Sequence, residues 1–156
     1  GGVTLLLLLL LLLLVGGGPL HDTLAARIRE LKLDERALLL GERSDVAALM
    51  KAADLLVAPS LREGMSNVIL EAMALGLSVL ATRVGGTPEV IEDGRHGVLV
   101  DPTDTQALAD SMLQLIDDPV RRQAIGQAGR QKVLEQYSPP AMVSAMLKEY
   151  SRVSQR

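Results

Sequence analysis

The sequence predicts an α/β fold, with a parallel sheet of about five strands and helices on both of its faces. Two observations lead there. Short runs of about four consecutive apolar residues recur along the chain, as in strands buried on both sides. Between them lie segments of roughly 8–13 residues whose apolar positions recur at helical spacing, bounded by helix start and stop residues. Strand and helix alternating in this way imply parallel strands joined by right-handed crossovers.

The elements follow in order. Residues 5–14 are ten consecutive leucines, extended by Val15. The run reads as a buried strand ending at Val15 and preceded by a loop or the end of a helix. Its start is open, because leucine favours helix and a uniform run specifies register weakly. Gly16-Gly17-Gly18-Pro19 makes a turn, after which Leu20, Leu24, Ile28 and Leu31 mark a helix. Ala37-Leu38-Leu39-Leu40 is the next strand, closed by Gly41. Ser44 caps a helix through Ala53 with Val46, Leu49 and Met50 on one face. Leu55-Leu56-Val57-Ala58 is a strand stopped by Pro59. A helix over 67–75 follows, with Gly76 as its C-terminal stop. Ser78-Val79-Leu80-Ala81 is another buried strand. Thr87-Pro88 reads as a cap and first helical residue, starting a short helix to about Ile91. Gly97-Val98-Leu99-Val100 is the last strand, and helices over 104–116, 120 to about 136, and 139 to about 152 complete the chain, the last capped by Ser138. In such sheets ligands sit beyond the carboxyl ends of the strands. The loops after Val15, Leu40, Ala58 and Ala81 open onto that edge.

A chain of 156 residues forms one domain, 1–156, large enough to bury a core. With 48% hydrophobic and 22% charged residues it has globular composition. A net charge of −3, without a block of Lys or Arg, makes nucleic acid and anionic membrane poor partners. The absence of Cys excludes a disulfide framework, thiolate metal sites and cysteine nucleophiles. Two Tyr, no Phe and no Trp leave little for ring stacking, so recognition falls to backbone and carboxylate hydrogen bonds. The apolar stretch 5–15 is shorter than the roughly 20 residues of a membrane span, and signal-peptide features do not flank it. The expected location is cytoplasmic.

The chemistry concentrates in Ser60-Leu61-Arg62-Glu63-Gly64-Met65-Ser66-Asn67-Val68-Ile69-Leu70-Glu71. Glu63 lies in a loop and Glu71 in the opening turns of a helix, so one ligand could reach both. Between them a helix N-terminus presents free N–H groups suited to an anion. Gly64 lets the backbone approach a ligand closely, and Ser66 or Asn67 serves as N-cap. A carboxylate accepts two hydrogen bonds from a vicinal diol such as a ribose. Hydroxyl-accepting acids beside a phosphate-binding helix start suit a nucleotide sugar, whereas a surface helix with solvated glutamates is the plain alternative. Arg62 and Arg83 sit in loops at the same edge and are candidates to neutralise a diphosphate. Glu89 at a helix start fits the dipole. Two separate histidines, His21 and His96, do not make a zinc site or a Ser-His-Asp triad. Gly16-Gly17-Gly18-Pro19 lacks the third glycine of a dinucleotide fingerprint, which argues against NAD.

The segment 59–74, with Glu63 and Glu71 in an E-x7-E arrangement, resembles the signature of retaining GT-B glycosyltransferases of family 4 (glycosyl transferases group 1). Leu14-Val15-Gly16-Gly17-Gly18-Pro19 resembles that family's strand ending in a V-G-x-G-P turn. Ala53-Asp54-Leu55-Leu56-Val57-Ala58-Pro59-Ser60 is similar to its A-D-x-x-x-x-P-S strand. Leu75-Gly76-Leu77-Ser78-Val79 matches its G-x-P-V turn, with Leu77 in place of proline. Val84-Gly85-Gly86-Thr87-Pro88-Glu89 and Asp93-Gly94-Arg95-His96-Gly97-Val98-Leu99-Val100 match its G-G-x-P-E and D-G-x-x-G-x-L-V segments. The similarity runs from Val15 to about Tyr150.

The resemblance implies a Rossmann-like GT-B C-terminal domain that binds a nucleotide-diphosphate sugar for retaining transfer of a hexosyl group to a hydroxyl acceptor. Under it, Glu71 binds the ribose hydroxyls and Glu63 holds a sugar hydroxyl near the anomeric carbon. Main-chain N–H groups at Gly64, Met65 and Ser66 contact the sugar, and amides at the helix start by Asn67 face the diphosphate. Gly41, Glu42 and Arg43 lie along the base, and Gly16, Gly17 and Gly18 line the cleft floor. No cofactor is implied and no metal is strictly required. The family also carries a preceding acceptor domain and, opening the donor domain, a G-R strand with a loop Lys that clamp the diphosphate. No basic residue precedes Arg27. The expectation is therefore an N-terminally truncated donor domain, inactive alone, with any peripheral membrane contact made through the absent half. The alternatives are a catalytically inactive nucleotide-sugar-binding remnant, a same-fold nucleotide-sugar epimerase and, more remotely, a dehydrogenase.

Overall fold

The computed structural model of the chain describes residues 10–153. Among these residues five strands, each parallel to its paired neighbour, alternate with helices, so the structure has the α/β class that the alternating pattern predicts. The chain divides between Val46 and Ala47 into two compact units. The strands pair as a two-stranded and a three-stranded sheet.

The first unit contains β1 (Leu12–Val15), α1 (His21–Glu30) and β2 (Ala37–Gly41). Only the end of the leucine run is strand, and Leu5 to Leu9 lie outside the described residues. Leu12, Leu13 and Leu14 pair with Ala37, Leu38 and Leu39, and the register then slips so that Val15 faces Gly41. This unit buries little. Among its described residues Ala37 alone is buried, and Leu20, Leu24 and Leu31 of the expected apolar face of α1 are exposed. A two-stranded ladder under one helix cannot cover a full apolar stripe.

The second unit contains α2 (Val46–Ala52), which begins at the boundary, then β3 (Leu55–Ala58), α3 (Asn67–Ala74), β4 (Ser78–Thr82), α4 (Thr87–Val90), β5 (Val98–Val100), α5 (Thr105–Asp117), α6 (Pro119–Gln136) and α7 (Pro139–Val153). β4 is the central strand, and all five of its residues are buried. Leu80, Val98, Val100, Leu115 and Ile125 form a core cluster, with Leu55, Val57, Leu108 and Met112 packed against it.

Two local features place the helix that follows β3. α3 ends in a Schellman motif: Gly76 adopts φ 79°, its N–H donates to Met73 O, and Leu77 N–H donates to Ala72 O. That reversal delivers the chain directly into β4. On α6, the buried residues are Ile125, Gly126, Gly129 and Val133. A side chain at Gly126 would overlap the Gly76 carbonyl, so this glycine lets α6 rest on the α3–β4 turn. At α4 the N-cap is Gly86, not Thr87; Thr87 is the first helical residue and is 2% exposed. Among the described residues no helix is long and apolar enough to cross a membrane.

Candidate functional site

In the second unit, Pro59 ends β3 and the chain crosses through residues 59–66 into α3. Several ties fix this crossing. Thr82, buried at the end of β4, donates its hydroxyl to the Ser60 carbonyl. Ser60 in turn donates its own hydroxyl to Glu63 Oε2 at 3.3 Å. Gly64 O accepts from Gly86 N at 2.9 Å. Glu63 is half-buried, Gly64 exposed and Met65 46% exposed.

Ser66 is the N-cap of α3, with φ −81° and ψ 109°, but its hydroxyl makes no capping hydrogen bond, and no acidic residue occupies the first turn. The leading amides of α3 therefore lack the usual side-chain acceptor and are available to a ligand. Helical periodicity then sorts the side chains. Ile69, Ala72 and Met73 are buried, while Val68, Glu71 and Leu75 are exposed on another face. Among the described residues neither Glu63 nor Glu71 is engaged in an ion pair. The structure thus brings Glu63, Gly64, Met65, Ser66, Asn67 and Glu71 onto one loop and one helix start, with both carboxylates unspent on cations.

The two candidate arginines differ. Arg83 is committed to Asp93 at 2.8 Å, and the other oxygen of Asp93 accepts Leu99 N–H at 2.9 Å. That arrangement ties the end of β4 to β5 and uses the guanidinium as a brace. Arg62 is exposed and makes no ion pair among the described residues.

In the first unit, the glycine turn and the segment after β2 meet. Gly16 N–H donates to Gly41 O at 2.8 Å, and Gly41 has φ 64°. Gly17 lies against the Glu42 side chain so closely that a methyl there would stand 2.9 Å from Oε1. Arg43 donates from two nitrogens to the two carboxylate oxygens of Asp45, at 2.8 and 2.7 Å. That hydrogen bonding holds the Asp45 carboxyl below its usual range and raises Arg43. Gly16, Gly17, Gly41 and Glu42 are thus brought together, while the Arg43 guanidinium turns to its near neighbour.

His96 lies outside both groups. It is 8% exposed, and among the described residues its Nδ1 has no hydrogen-bond partner, the Glu92 carboxylate standing 3.7 Å away. Burial pushes its pKa down, reinforced by Lys132 and Arg95 and opposed by Glu92. No local pattern around His96 marks this burial. Gly85 and Gly86 are visible as a motif, but their contact with residues 63–65 is not, and β4 extends one residue past the expected Ser78–Ala81, to Thr82.

Comparison with known proteins agrees with the fold and gives its family. A family model described as glycosyl transferases group 1 matches residues 8–118. N-acetyl-alpha-D-glucosaminyl L-malate synthase of Bacillus anthracis is 40% identical over 127 residues, covering 81% of this chain and 33% of the relative. D-inositol 3-phosphate glycosyltransferase of Corynebacterium glutamicum is 37% identical over 108 residues, covering 68% of this chain and 26% of the relative. Among solved structures, Anabaena HepE in complex with UDP superposes with a TM-score of 0.83 at 29% identity, over 92% of this chain and 41% of that one. The C-terminal domain of a glycosyl transferase group 1 family protein, LpcC from Francisella tularensis, gives 0.71 at 32% identity, over 76% and 62%. The chain spans about a third or less of the length of these two curated relatives.

Proposed function

Because the chain belongs to the glycosyl transferases group 1 family, we propose that residues 62–71 bind a nucleotide-diphosphate sugar, for retaining transfer of a hexosyl group to a hydroxyl acceptor by a longer protein. The observation that carries this reading is the pairing of two carboxylates, without an ion-pair partner among the described residues, with an α3 N-terminus whose cap side chain is unused. Glu71, exposed on α3, accepts from the vicinal hydroxyls of the ribose. Glu63, oriented by the Ser60 hydroxyl, accepts from a hydroxyl of the sugar and sets the direction of the anomeric carbon. The amides of Gly64, Met65 and Ser66 take the remaining sugar oxygens, and the first turn of α3 faces the diphosphate. Negative charge that grows on the departing diphosphate is stabilised by these fixed N–H dipoles, without a required metal. HepE, solved with UDP, is a structural neighbour that supports a nucleotide as ligand.

Titration calorimetry of the chain with UDP, GDP and ADP tests the assignment. Two hydrogen bonds to a carboxylate are each worth about 1.5–3 kcal/mol, and 1.4 kcal/mol is tenfold in affinity. Allowing for water that replaces the lost group, Glu71→Ala is expected to weaken the preferred nucleotide about 10- to 100-fold with its melting temperature retained. Chelator should leave the wild-type affinity as it is. Equal affinity in variant and wild type removes the role given to Glu71.

A second reading is a nucleotide-sugar-binding domain without chemistry of its own. The engagement of Arg83 with Asp93 favours it, since that guanidinium is not offered to a diphosphate. Hydrolysis or transfer from a bound donor by the isolated chain would exclude it.

A further inference from the structure

We infer that Gly85 and Gly86, with Thr82 behind them, are positioning residues that set where Glu63 stands in the donor site, an inference resting on the donor reading above. The backbone of residues 63–65 lies directly on the glycine pair. A side chain at Gly85 would overlap the Glu63 carbonyl oxygen, and its φ of 51° disfavours any other residue as well. Gly86 is more telling. Its φ of −79° suits every amino acid, and as the N-cap of α4 it occupies a position where Ser, Thr, Asp or Asn would normally stand. What excludes a side chain there is the loop: a methyl would stand 2.9 Å from Gly64 O and 3.7 Å from Met65 Cα. The same residue donates its N–H to Gly64 O at 2.9 Å. Gly86 therefore both supports the loop and holds it.

Thr82 provides the third point. Its hydroxyl reaches the Ser60 carbonyl from the buried central strand, with Ala58 O at 3.4 Å. Residues 60, 63 and 64 are thus referenced to β4 and the turn after it. The Ser60 hydroxyl carries that reference on to the Glu63 carboxylate. Glu71 is placed separately, by the buried face of α3. The arrangement predicts a separable effect: shifting the glycine pair moves the group assigned to the sugar and spares the group assigned to the nucleotide.

The test uses the whole chain and the probes UDP-glucose, GDP-mannose and ADP-glucose, each beside its bare nucleoside diphosphate. In Gly86→Ala the extra affinity of the preferred nucleotide sugar over its nucleotide is expected to fall about tenfold or more, since displacements near an ångström cost factors of this kind. Affinity for the bare nucleotide should stay within about threefold. Amide resonances of residues 63–65 should shift without ligand. Thr82→Val should act in the same direction, and Thr82→Ser, which keeps the hydroxyl, should restore the wild-type ratio. Gly97→Ala is the control for plain destabilisation, because its methyl would meet Val79 O and Ile91; it should lower the melting temperature and leave the ratio unchanged. Unshifted 63–65 resonances, or an unchanged ratio in both Gly86→Ala and Thr82→Val, would overturn the inference alone. Wild-type chain that binds none of the six probes overturns the donor reading, and this inference falls with it.

Discussion

Replacing Met73 by alanine probes how α3 keeps its core face apart from the face proposed to meet a ligand. Met73 is 0% exposed and two residues beyond Glu71. Its Cε and Cγ atoms lie against Gly129 of α6, 3.4 and 3.6 Å from where a methyl on that glycine would stand. Met73→Ala removes Cγ, Sδ and Cε, about three methylene equivalents at about 0.8 kcal/mol each, or about 2.4 kcal/mol. A cavity of about 50 Å³ left behind adds about 1.2 kcal/mol at 24 cal/mol per Å³. The sum, about 3–4 kcal/mol, falls within the usual range for burying and then deleting such a side chain. For a chain of this size that corresponds to a drop of about 10 °C in melting temperature. Circular dichroism during thermal and urea unfolding would measure it. Nucleotide affinity, titrated well below the new midpoint, should change less than about threefold, because the deleted atoms point into the core. A loss below about 1 kcal/mol would show that α3 and α6 are not packed around this residue as described. A large loss of affinity in the still-folded variant would refute the separation of the two faces.

The other predictions concern stability. His96 is neutral in the fold because burial, Lys132 and Arg95 lower its pKa more than Glu92 raises it. The unfolded chain therefore binds this proton first as pH falls. The stability gained from the neutral ring is complete above the ordinary histidine value of about 6.5 and is lost on acidification below it. The drop in melting temperature between pH 7.5 and pH 5 should shrink in His96→Gln; an identical drop would mean that His96 does not titrate in this window. Asp104 caps α5 by accepting Ala107 N–H at 2.8 Å, and Asp118 caps α6 by accepting Arg121 N–H at 2.9 Å. Asp104→Ala and Asp118→Ala should each cost about 1 kcal/mol and add in the double variant, as denaturant midpoints would reveal.

Much of the fold could be read from the chain because each element carries its own punctuation. β3 has the bounds expected from Leu55 to Ala58 before Pro59, and α3 starts after Ser66 and stops at Gly76. The loop carrying Glu63 and the helix carrying Glu71 were legible for the same reason. The misjudged details all involve groups distant in sequence. β4 runs on to Thr82 because its neighbour β5 continues the ladder to Val100. α4 is capped by Gly86, where residues 63–65 occupy the space a side chain would need. Leu20, Leu24 and Leu31 have helical spacing yet remain exposed, since periodicity says where a stripe lies and not whether anything covers it.

The chain by itself therefore determined the class of fold, the order of its elements and the segment that carries two acids around a helix start. These depend on interactions within a few residues: helical spacing, caps, proline stops and glycine turns. Only tertiary structure decided which charges remain available. It turned Arg83 toward Asp93, left Glu63 and Glu71 without an ion-pair partner among the described residues, withdrew His96 from solvent and seated residues 63–65 on Gly85 and Gly86. Those outcomes follow from backbone approach and burial between segments separated by ten to thirty or more residues, and no local pattern encodes a distance of that kind.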